Sequence, residues 1–291
     1  MKLCTRSAPL MFILLMVALA TAATGPKPRF KFTTIDIAGS QRLDAFAIND
    51  LGVIVGTFVD QDGIRHGYKY FNGKFDILDD PNAAQYTVCL GINLKGTIVG
   101  WYTDAYGNGK GYIYKNGNYT DIAPPGATFV MADATNNMGK IVGTYVDSVG
   151  AQHGFVYDGH GYTTLDVGVG ETYTWATGIN DWGMITVQWG DTDGNDHSSL
   201  YDGSKYKEFR APNSIYTDAW AINNLGEVVF TWYDENWVGH GALLSGGKYL
   251  SFDDPDTDEG LTLGYGLNDF GVIVGAYYKN DRPYGFWAIE R

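Results

Sequence analysis

Cysteine is nearly absent from this chain of 291 residues. Only Cys4 and Cys89 occur, and Cys4 lies in an amino-terminal segment that we expect to be removed. An intramolecular disulfide is therefore excluded for the processed chain, even in an oxidising compartment. Cys89 aligns with small residues of the repeats described below, which favours a buried filler over a nucleophile.

Basic residues are also few. The 20 Lys and Arg residues stand against 33 Asp and Glu residues, and losing Lys2 and Arg6 with the amino-terminal segment takes the formal charge from −13 to −15. Nucleic-acid binding needs clustered Lys and Arg to neutralise phosphates, so the composition argues against a nucleic-acid partner. An acidic surface disfavours anionic membranes and is compatible with cations, neutral sugars or basic proteins.

Long apolar runs are confined to the amino terminus. Residues 1–22 combine a charged start, the apolar run 10–20 and an Ala-Thr-Ala pattern, which is typical of a secretory signal peptide. The run is too short to span a bilayer, and no later stretch predicts a membrane span. We therefore expect a secreted or periplasmic protein cleaved near Ala22, with residues 23–29 as a linker and residues 30–291 as one domain.

Helical periodicity is nearly absent as well, whereas short strand patterns and turn signals recur throughout. The stretch AINDLGVIVG at residues 47–56 occurs in six related copies. Their shared asparagine falls at Asn49, Asn93, Asn136, Asn180, Asn223 and Asn268. Spacings of 44, 43, 44, 43 and 45 residues indicate a solenoid, a propeller or an array.

Each repeat has the pattern of four strands. In the first copy they are predicted at residues 44–48, 53–59, 66–71 and 74–78, separated by turns rich in Asn, Asp and Gly. Four antiparallel strands in about 44 residues are typical of a propeller blade. The last repeat lacks a fourth strand, and residues 32–37 match the fourth strand at 162–167. The sequence thus predicts an all-β, six-bladed β-propeller whose amino-terminal strand closes the last blade.

The repeated motif Ile-Asn-Asp-x-Gly-x-Ile-Val-Gly-x-Tyr is followed by His-Gly-Tyr at residues 66–68 or His-Gly-Phe at residues 153–155. This pattern resembles the HAF repeat, a probable extracellular repeat of bacterial secreted proteins, over essentially all of the mature chain. Gly replaces the central Ala of that motif, and later copies diverge further, as at residues 197–199. The resemblance implies export from a bacterial cell and supplies no catalytic residues.

The loops that enter the first strands differ from repeat to repeat, as the lining of a functional site would. The residue just before the first small residue of each repeat differs, and the six are Asp44, Val88, Met131, Trp175, Asp218 and Leu263. The residue two positions before each of these also differs, and these six are Arg42, Tyr86, Phe129, Tyr173, Tyr216 and Leu261. Flat aromatic rings suit stacking on a sugar or peptide. We therefore expect a carbohydrate- or protein-binding module, monomeric and without catalysis. Predicted stacking residues are Trp175, Tyr173, Tyr86, Tyr216 and Phe129, and predicted polar contacts are Arg42, Asp44 and Asp218.

Two alternatives remain open from the sequence. The first is an extracellular hydrolase, a glycosidase or lactonase, that uses Asp44, Asp133 and Asp218 with or without Ca²⁺. The second is a purely structural envelope or matrix protein. No metal ligands are assigned, because the calcium-like run at 191–196 lacks the terminal Glu of an EF-hand loop.

Four Asp and His pairs invite a reading as acid–base or metal sites. They are Asp60/His66, Asp147/His153, Asp191/His197 and Asp234/His240. The pairs recur at the same place in different repeats, whereas a catalytic site is normally built once. A role in stabilising turns is therefore the favoured interpretation.

Overall fold

The computed structural model describes residues 29–168 and 170–291. All regular elements among them are β-strands, numbered β1 to β24. Within these residues, no helix is long and apolar enough to cross a membrane. The predicted signal peptide, and the linker up to residue 28, lie outside the described residues.

The strands form consecutive groups of four. The first group is β2 (Arg42–Ile48), β3 (Ile54–Val59), β4 (Arg65–Phe71) and β5 (Lys74–Leu78). The second is β6 (Thr87–Ile92), β7 (Ile98–Thr103), β8 (Gly109–Lys115) and β9 (Asn118–Ile122). The third is β10 (Phe129–Thr135), β11 (Ile141–Val146), β12 (Gln152–Tyr157) and β13 (Tyr162–Leu165). The fourth is β14 (Glu171–Ile179), β15 (Ile185–Asp191), β16 (Asp196–Tyr201) and β17 (Tyr206–Phe209).

The fifth group is β18 (Tyr216–Ile222), β19 (Val228–Tyr233), β20 (Gly239–Ser245) and β21 (Lys248–Phe252). The sixth joins β22 (Thr262–Leu267), β23 (Val272–Lys279) and β24 (Arg282–Glu290) to β1 (Phe30–Ile35), which pairs antiparallel with β24 from Phe30↔Glu290 to Ile35↔Gly285. Each group is an antiparallel meander, and a single parallel pair, Gln152↔Tyr173, links the third and fourth groups. The pairing expected for the amino-terminal strand is present, two residues earlier than predicted.

Every first strand carries a β-bulge at the same place. The strand register shifts between two small residues, so that the residue between them has no partner on the second strand. The bulged residues are Phe46, Leu90, Asp133, Thr177, Trp220 and Tyr265. All six line one axial cavity, so the bulge turns one side chain per group toward the axis.

The small residues beside the bulge allow neighbouring groups to approach each other closely. A Cβ atom on Gly91 would lie 2.8 Å from Ala134 Cα of the next group. The same substitution on Gly178 or Gly266 would bring a Cβ within 2.9 Å of a Cα in the following group. Small residues are therefore required at this position, as the repeats predicted.

The repeated asparagines form a closed ring of hydrogen bonds. The Nδ2 of each donates to the main-chain oxygen of the asparagine in the next group, at 3.0 to 3.2 Å, and Asn268 returns to Asn49. Each Oδ1 also accepts two backbone N–H groups of its own turn, as Asn136 does from Met138 and Lys140. The side chains are buried. This ring sets the first-to-second turns side by side on what we call the asparagine face, opposite the loop face where the first strands begin.

Candidate functional site

An axial cavity of about 310 Å³ lies between the two faces. Its loop-face end is lined by Val88, Met131 and Trp175, and its middle by the six bulged residues. The end toward the asparagine face is lined by Ile48, Ile92, Thr135, Ile179, Ile222 and Leu267. This mostly apolar ring also lines a separate polar cup on the asparagine face, so it divides the axis into two sites of different character.

Aromatic side chains in mutual contact form one wall of the axial cavity. Trp175 and Trp220 meet edge to face with ring centroids 5.6 Å apart, and Trp220 meets Tyr265 in the same way at 5.2 Å. The ring centroid of Tyr265 in turn lies 5.1 Å from that of Phe46. Edge-to-face contacts fix the rings against one another, so the wall is a preformed apolar surface.

Four polar atoms in this cavity have no hydrogen-bond partner among the described residues. They are Oδ2 of Asp133, Nε1 of Trp175, Nε1 of Trp220 and Nε of Arg65. Asp133 is 7% exposed, and its burial raises the pKa of the carboxyl well above its ordinary value, although the Trp175 indole N–H and a backbone N–H of Thr144 lie close enough to offset part of that rise. The Trp175 N–H faces the carboxyl without meeting hydrogen-bond geometry, so both groups remain available to a ligand. A buried polar atom left unpaired costs free energy, so these groups are suited to a ligand that completes their hydrogen bonds.

Of the residues predicted to bind, only Trp175 lines the cavity. Tyr173 and Tyr216 lie nearby on the loop face with two carboxylates. The hydroxyl of Tyr173 donates to Asp196 at 2.5 Å. Burial raises the pKa of Asp218 to about 7, the Tyr216 hydroxyl partly offsets that rise, and the Asp196 charge adds to it. Two tyrosines and two carboxylates thus form a half-buried polar patch beside the axis.

The remaining predicted binding residues are engaged with other parts of the protein. Asp44 is buried, and its carboxylate accepts two hydrogen bonds from Arg42 at 2.5 and 3.0 Å. Tyr86 lies beneath the Arg65 guanidinium, which is 5.7 Å from the ring centroid. The ring of Phe129 packs 5.6 Å from that of Trp101, another cavity residue. Arg42 and Asp44 therefore form a closed pair, while Tyr86 and Phe129 support residues of the cavity wall.

The three carboxylates considered for hydrolysis occupy separate environments. Asp44 is paired with Arg42, Asp133 faces the axial cavity, and Asp218 interacts with Tyr216 and Asp196. Among the described residues, no group of three or more His, Cys, Asp or Glu side chains is arranged to hold a metal ion. Asp133 is the one carboxylate among the described residues that line the axial cavity.

The Asp and His pairs lie on the outer part of the groups and stabilise turns. The Asp60 carboxylate accepts the backbone N–H groups of Asp62 and Ile64 and meets His66 Nε2 at 3.2 Å. His66 also contacts Asp79 through Nδ1 at 2.8 Å and stacks on Phe58. The same clamp of two carboxylates and an aromatic ring surrounds His153, His197 and His240. The repetition predicted the turn, and the second carboxylate of each clamp was missed.

Cys89 is fully buried, and its Sγ lies 3.2 Å from the Tyr112 hydroxyl. Burial raises the pKa of the thiol to about 12. A thiol with such a pKa is not ionised at neutral pH, which agrees with a filler and not with a nucleophile.

Sequence reasoning missed most of the cavity wall. Phe46, Trp220 and Tyr265 were not predicted, because regular strand alternation does not show that a bulge turns the residue between two small neighbours toward the axis. The signal was present in the sequence. Aligning the repeats on the two small residues places one intervening residue in each copy, and three of the six are aromatic.

No protein-family model and no curated protein matches the sequence. Solved structures with a similar fold include a variant of the Aleuria aurantia lectin in complex with Fucα1-6GlcNAc, with a TM-score of 0.55 and 12% identity over 88% of this chain and 93% of the lectin. A second solved structure of the Aleuria aurantia lectin, with a TM-score of 0.51, is a six-bladed β-propeller. The SapL1 lectin in complex with α-methyl fucoside has a TM-score of 0.53 and 13% identity over 82% of this chain and 88% of the lectin.

An enzyme is also similar in fold. Trypanosoma rangeli sialidase has a TM-score of 0.52 and 10% identity, over 90% of this chain and 58% of the sialidase chain. Since identities are this low and the similar proteins differ in function, the comparisons establish the fold alone. The chain is an all-β protein with a β-propeller arrangement, as its repeats predicted.

Proposed function

We propose that this protein is a carbohydrate-binding propeller that takes a single sugar unit into the axial cavity. The observation that carries the proposal is the combination of an aromatic wall with unpaired polar atoms. A sugar ring presents C–H groups that stack on aromatic faces and hydroxyl groups that both donate and accept hydrogen bonds. Hydroxyl groups would satisfy Trp175 Nε1, Trp220 Nε1 and the Asp133 carboxyl together. A cavity of about 310 Å³ lies at the small end of ligand sites, which suits one sugar unit.

Binding is favoured over hydrolysis by the number of carboxylates. A glycosidase normally needs a pair of carboxyl groups flanking the bond to be broken. Asp133 has the raised pKa of a general acid, but no second carboxylate among the described residues lines the cavity. Asp133 therefore acts as a hydrogen-bonding group in this proposal.

The proposal extends to architecture and location. The closed ring of six asparagines supports a propeller of six blades, each made of one group of four strands. The signal-like amino terminus and the resemblance to the HAF repeat support a bacterial protein that is secreted or periplasmic. We propose that it works as a monomer and binds its sugar without a metal cofactor.

The test is calorimetric titration of the mature protein with L-fucose, α-methyl fucoside, D-mannose, D-galactose and N-acetylglucosamine. Fucosides come first, because they accompany two lectins of similar fold. Trp175→Phe and Trp220→Phe keep the ring and remove the N–H donor, so each should weaken binding about tenfold, the equivalent of one hydrogen bond of about 1.4 kcal/mol.

The matched control is Trp237→Phe, because Trp237 is exposed and lies outside the cavity lining. Its affinity should equal that of the unmodified protein, and chelator should change nothing. Sugar binding that survives both cavity substitutions would contradict the assignment of the binding site to the axial cavity. Failure of every sugar to bind, with the folded state verified by circular dichroism, would contradict the function.

A further inference from the structure

The asparagine face carries a crown of exposed apolar side chains that the fold does not require. They occupy the third residue of the Asn-x-x-Gly turn in five of the six repeats. They are Leu51 at 63% exposure, Met138 at 68%, Trp182 at 79%, Leu225 at 69% and Phe270 at 71%. Lys95 takes the same place in the second repeat. Turn positions ordinarily favour small or polar residues, and large apolar side chains gathered on a surface mark an interaction site.

The crown residues lie around one centre because their turns are tied to one another. The asparagine ring connects each turn to the next, so five apolar tips surround the axis. Trp182 also bridges two turns directly, since its indole Nε1 donates to the main-chain oxygen of Asn224 at 3.0 Å. The crown is therefore held in a fixed arrangement.

An acidic cup of about 90 Å³ occupies the centre of this face. Asp50, Asp181 and Asp269 line it together with Asn137 and Asn224. The three carboxylates accept hydrogen bonds from backbone N–H groups and from the side-chain amides of Asn137 and Asn224, which carry no net charge. Among residues 29–168 and 170–291, none of the three forms an ion pair with a basic side chain.

The carboxylates of the cup repel each other. Partial burial raises the pKa of Asp50, and the charges of Asp269 and Asp181 raise it further, although a backbone N–H of Asp269 works in the opposite direction. A cation placed in the cup would relieve that repulsion, so the face combines an apolar rim with a centre that favours positive charge.

We propose that the asparagine face is a docking surface for a protein segment that presents a lysine or arginine flanked by apolar side chains. The basic side chain enters the acidic cup, and its neighbours pack on the crown. This site is separate from the sugar cavity, because the apolar ring that includes Ile48 and Ile179 lies between them.

Charge distinguishes this occupant from two others. A second copy docked face to face would bring two acidic cups together, which costs free energy. An anionic lipid surface would be repelled by the same carboxylates, although Lys95 and Lys140 lie on the rim of the face. A basic segment is the occupant that matches both the rim and the centre.

The experiment uses a phage-displayed library of random peptides, selected on the intact mature protein. We expect the selected peptides to share a Lys or Arg flanked by Leu, Phe or Trp. The leading peptide, labelled with fluorescein, is then titrated by fluorescence anisotropy. Replacing its basic residue by Gln should weaken binding about tenfold or more, and this measurement does not depend on any change in the protein.

Two protein variants locate the surface. Leu225→Ser combined with Phe270→Ser removes two crown residues whose side chains make no hydrogen bonds, and about tenfold weaker binding is expected. The matched control is Tyr106→Ser with Val149→Ser, which changes two residues that are even more exposed, at 90% and 85%, and that take the third place of the turns between second and third strands. That control should bind as the unmodified protein does.

Three results would overturn the proposal. The first is a selection that yields no basic consensus, or peptides whose affinity survives the crown substitutions. The second is cosedimentation with phosphatidylcholine vesicles that the crown substitutions abolish, which would assign the face to lipid. The third is a dimer, seen by sedimentation equilibrium, that the same substitutions dissociate.

Discussion

The two ends of the axis are built in opposite ways. At the asparagine face, six copies of one residue make the same three hydrogen bonds in every group. At the loop face, the residues just before the first small residue of each group lie in different surroundings, from Asp44 in its half-buried ion pair with Arg42 to the indole of Trp175. Positions that repeat maintain the ring, and positions that diverge are free to form a site. The loop-face end of the candidate sugar cavity is accordingly lined by residues that differ from group to group.

The turns of the asparagine face also contain both a constant position and a variable position. Within one turn, the asparagine is constant because its side chain ties the groups together. The residue two places later makes no comparable side-chain bond in most repeats, and it is there that the apolar crown appears. A repeated turn can therefore carry both the scaffold and a second surface.

The largest expected effect comes from breaking the ring. Asn136→Ala removes the bond to Asn180 and leaves the N–H groups of Met138 and Lys140 without their acceptor. The bond to Asn180 is buried, whereas Met138 and Lys140 are exposed and water partly replaces their acceptor, so the free energy of unfolding should fall by about 3 kcal/mol in a urea titration.

The control for that variant is Asn118→Ala, which removes one bond to Asn116 on an exposed turn. This substitution should lower the free energy of unfolding by less than about 0.5 kcal/mol. Equal losses in the two variants would mean that the ring does not hold the groups together.

The next effect concerns the loop face, where a buried acid destabilises the fold. The pKa of Asp218 is raised to about 7 by burial. A raised carboxyl pKa means that the folded state retains the proton, so its stability is full below about pH 3.9, the pKa of an unfolded Asp, and falls as pH rises toward 7. Asp218→Asn should therefore increase the free energy of unfolding by roughly 2 to 4 kcal/mol at pH 8, since one pKa unit corresponds to about 1.4 kcal/mol, and should change nothing at pH 3.5.

Asp191→Asn should change the free energy of unfolding in the opposite direction. Hydrogen bonds from Asn195 and His197 lower the pKa of Asp191, so its contribution is present above the unfolded pKa and is lost as pH falls. This substitution should destabilise the protein at neutral pH. Unfolding curves that shift in the same direction for both variants would contradict the assignment of the two environments.

The smallest effect concerns the outer clamps. Burial alone would lower the pKa of His66, but the hydrogen bonds that its ring donates to the Asp79 and Asp60 carboxylates outweigh it and raise the pKa. The stabilisation is thus fully present below about pH 6.5, the pKa of an unfolded His, and is lost as pH rises through the higher folded value. His66→Gln should cost less than about 1 kcal/mol at pH 5.5, because the pair is partly exposed, and close to nothing at pH 8.5.

The control is His160→Gln, an exposed histidine whose ring makes no hydrogen bond with a described residue. The free energy of unfolding of this variant should equal that of the unmodified protein at both pH values. A cost for His66→Gln that grows with pH would contradict the clamp.

The sequence predicted what depends on local pattern and on repetition. Turn residues, strand count per repeat and the small residues beside the axis follow from one repeat read six times, and the strand boundaries differ from the structure by one or two residues at most in the first group. The pairing of the amino-terminal strand followed from its match to residues 162–167. These features are local, or are copied from a local pattern.

What the sequence could not supply depends on contacts between groups. Nothing in a single repeat shows that Asn49 bonds to Asn93 in the next group, or that Trp175, Trp220 and Tyr265 meet across group boundaries. Asp79 lies thirteen residues beyond His66, and only the hairpin between β4 and β5 brings them together. Of the residues predicted to bind, Trp175 lines the axial cavity, and Tyr86 and Phe129 pack against Arg65 and Trp101 of its wall.

The most direct test of the sugar site is a ¹H–¹⁵N correlation spectrum of the indole N–H groups during titration with α-methyl fucoside and the other sugars of the panel. The chain has eight tryptophans, so each signal can be assigned with single Trp→Phe variants. We expect the Trp175 and Trp220 signals to move as sugar is added, while the exposed Trp182 and Trp237 signals stay in place. A sugar that binds while the Trp175 and Trp220 signals remain unchanged would show that the axial cavity is not the binding site.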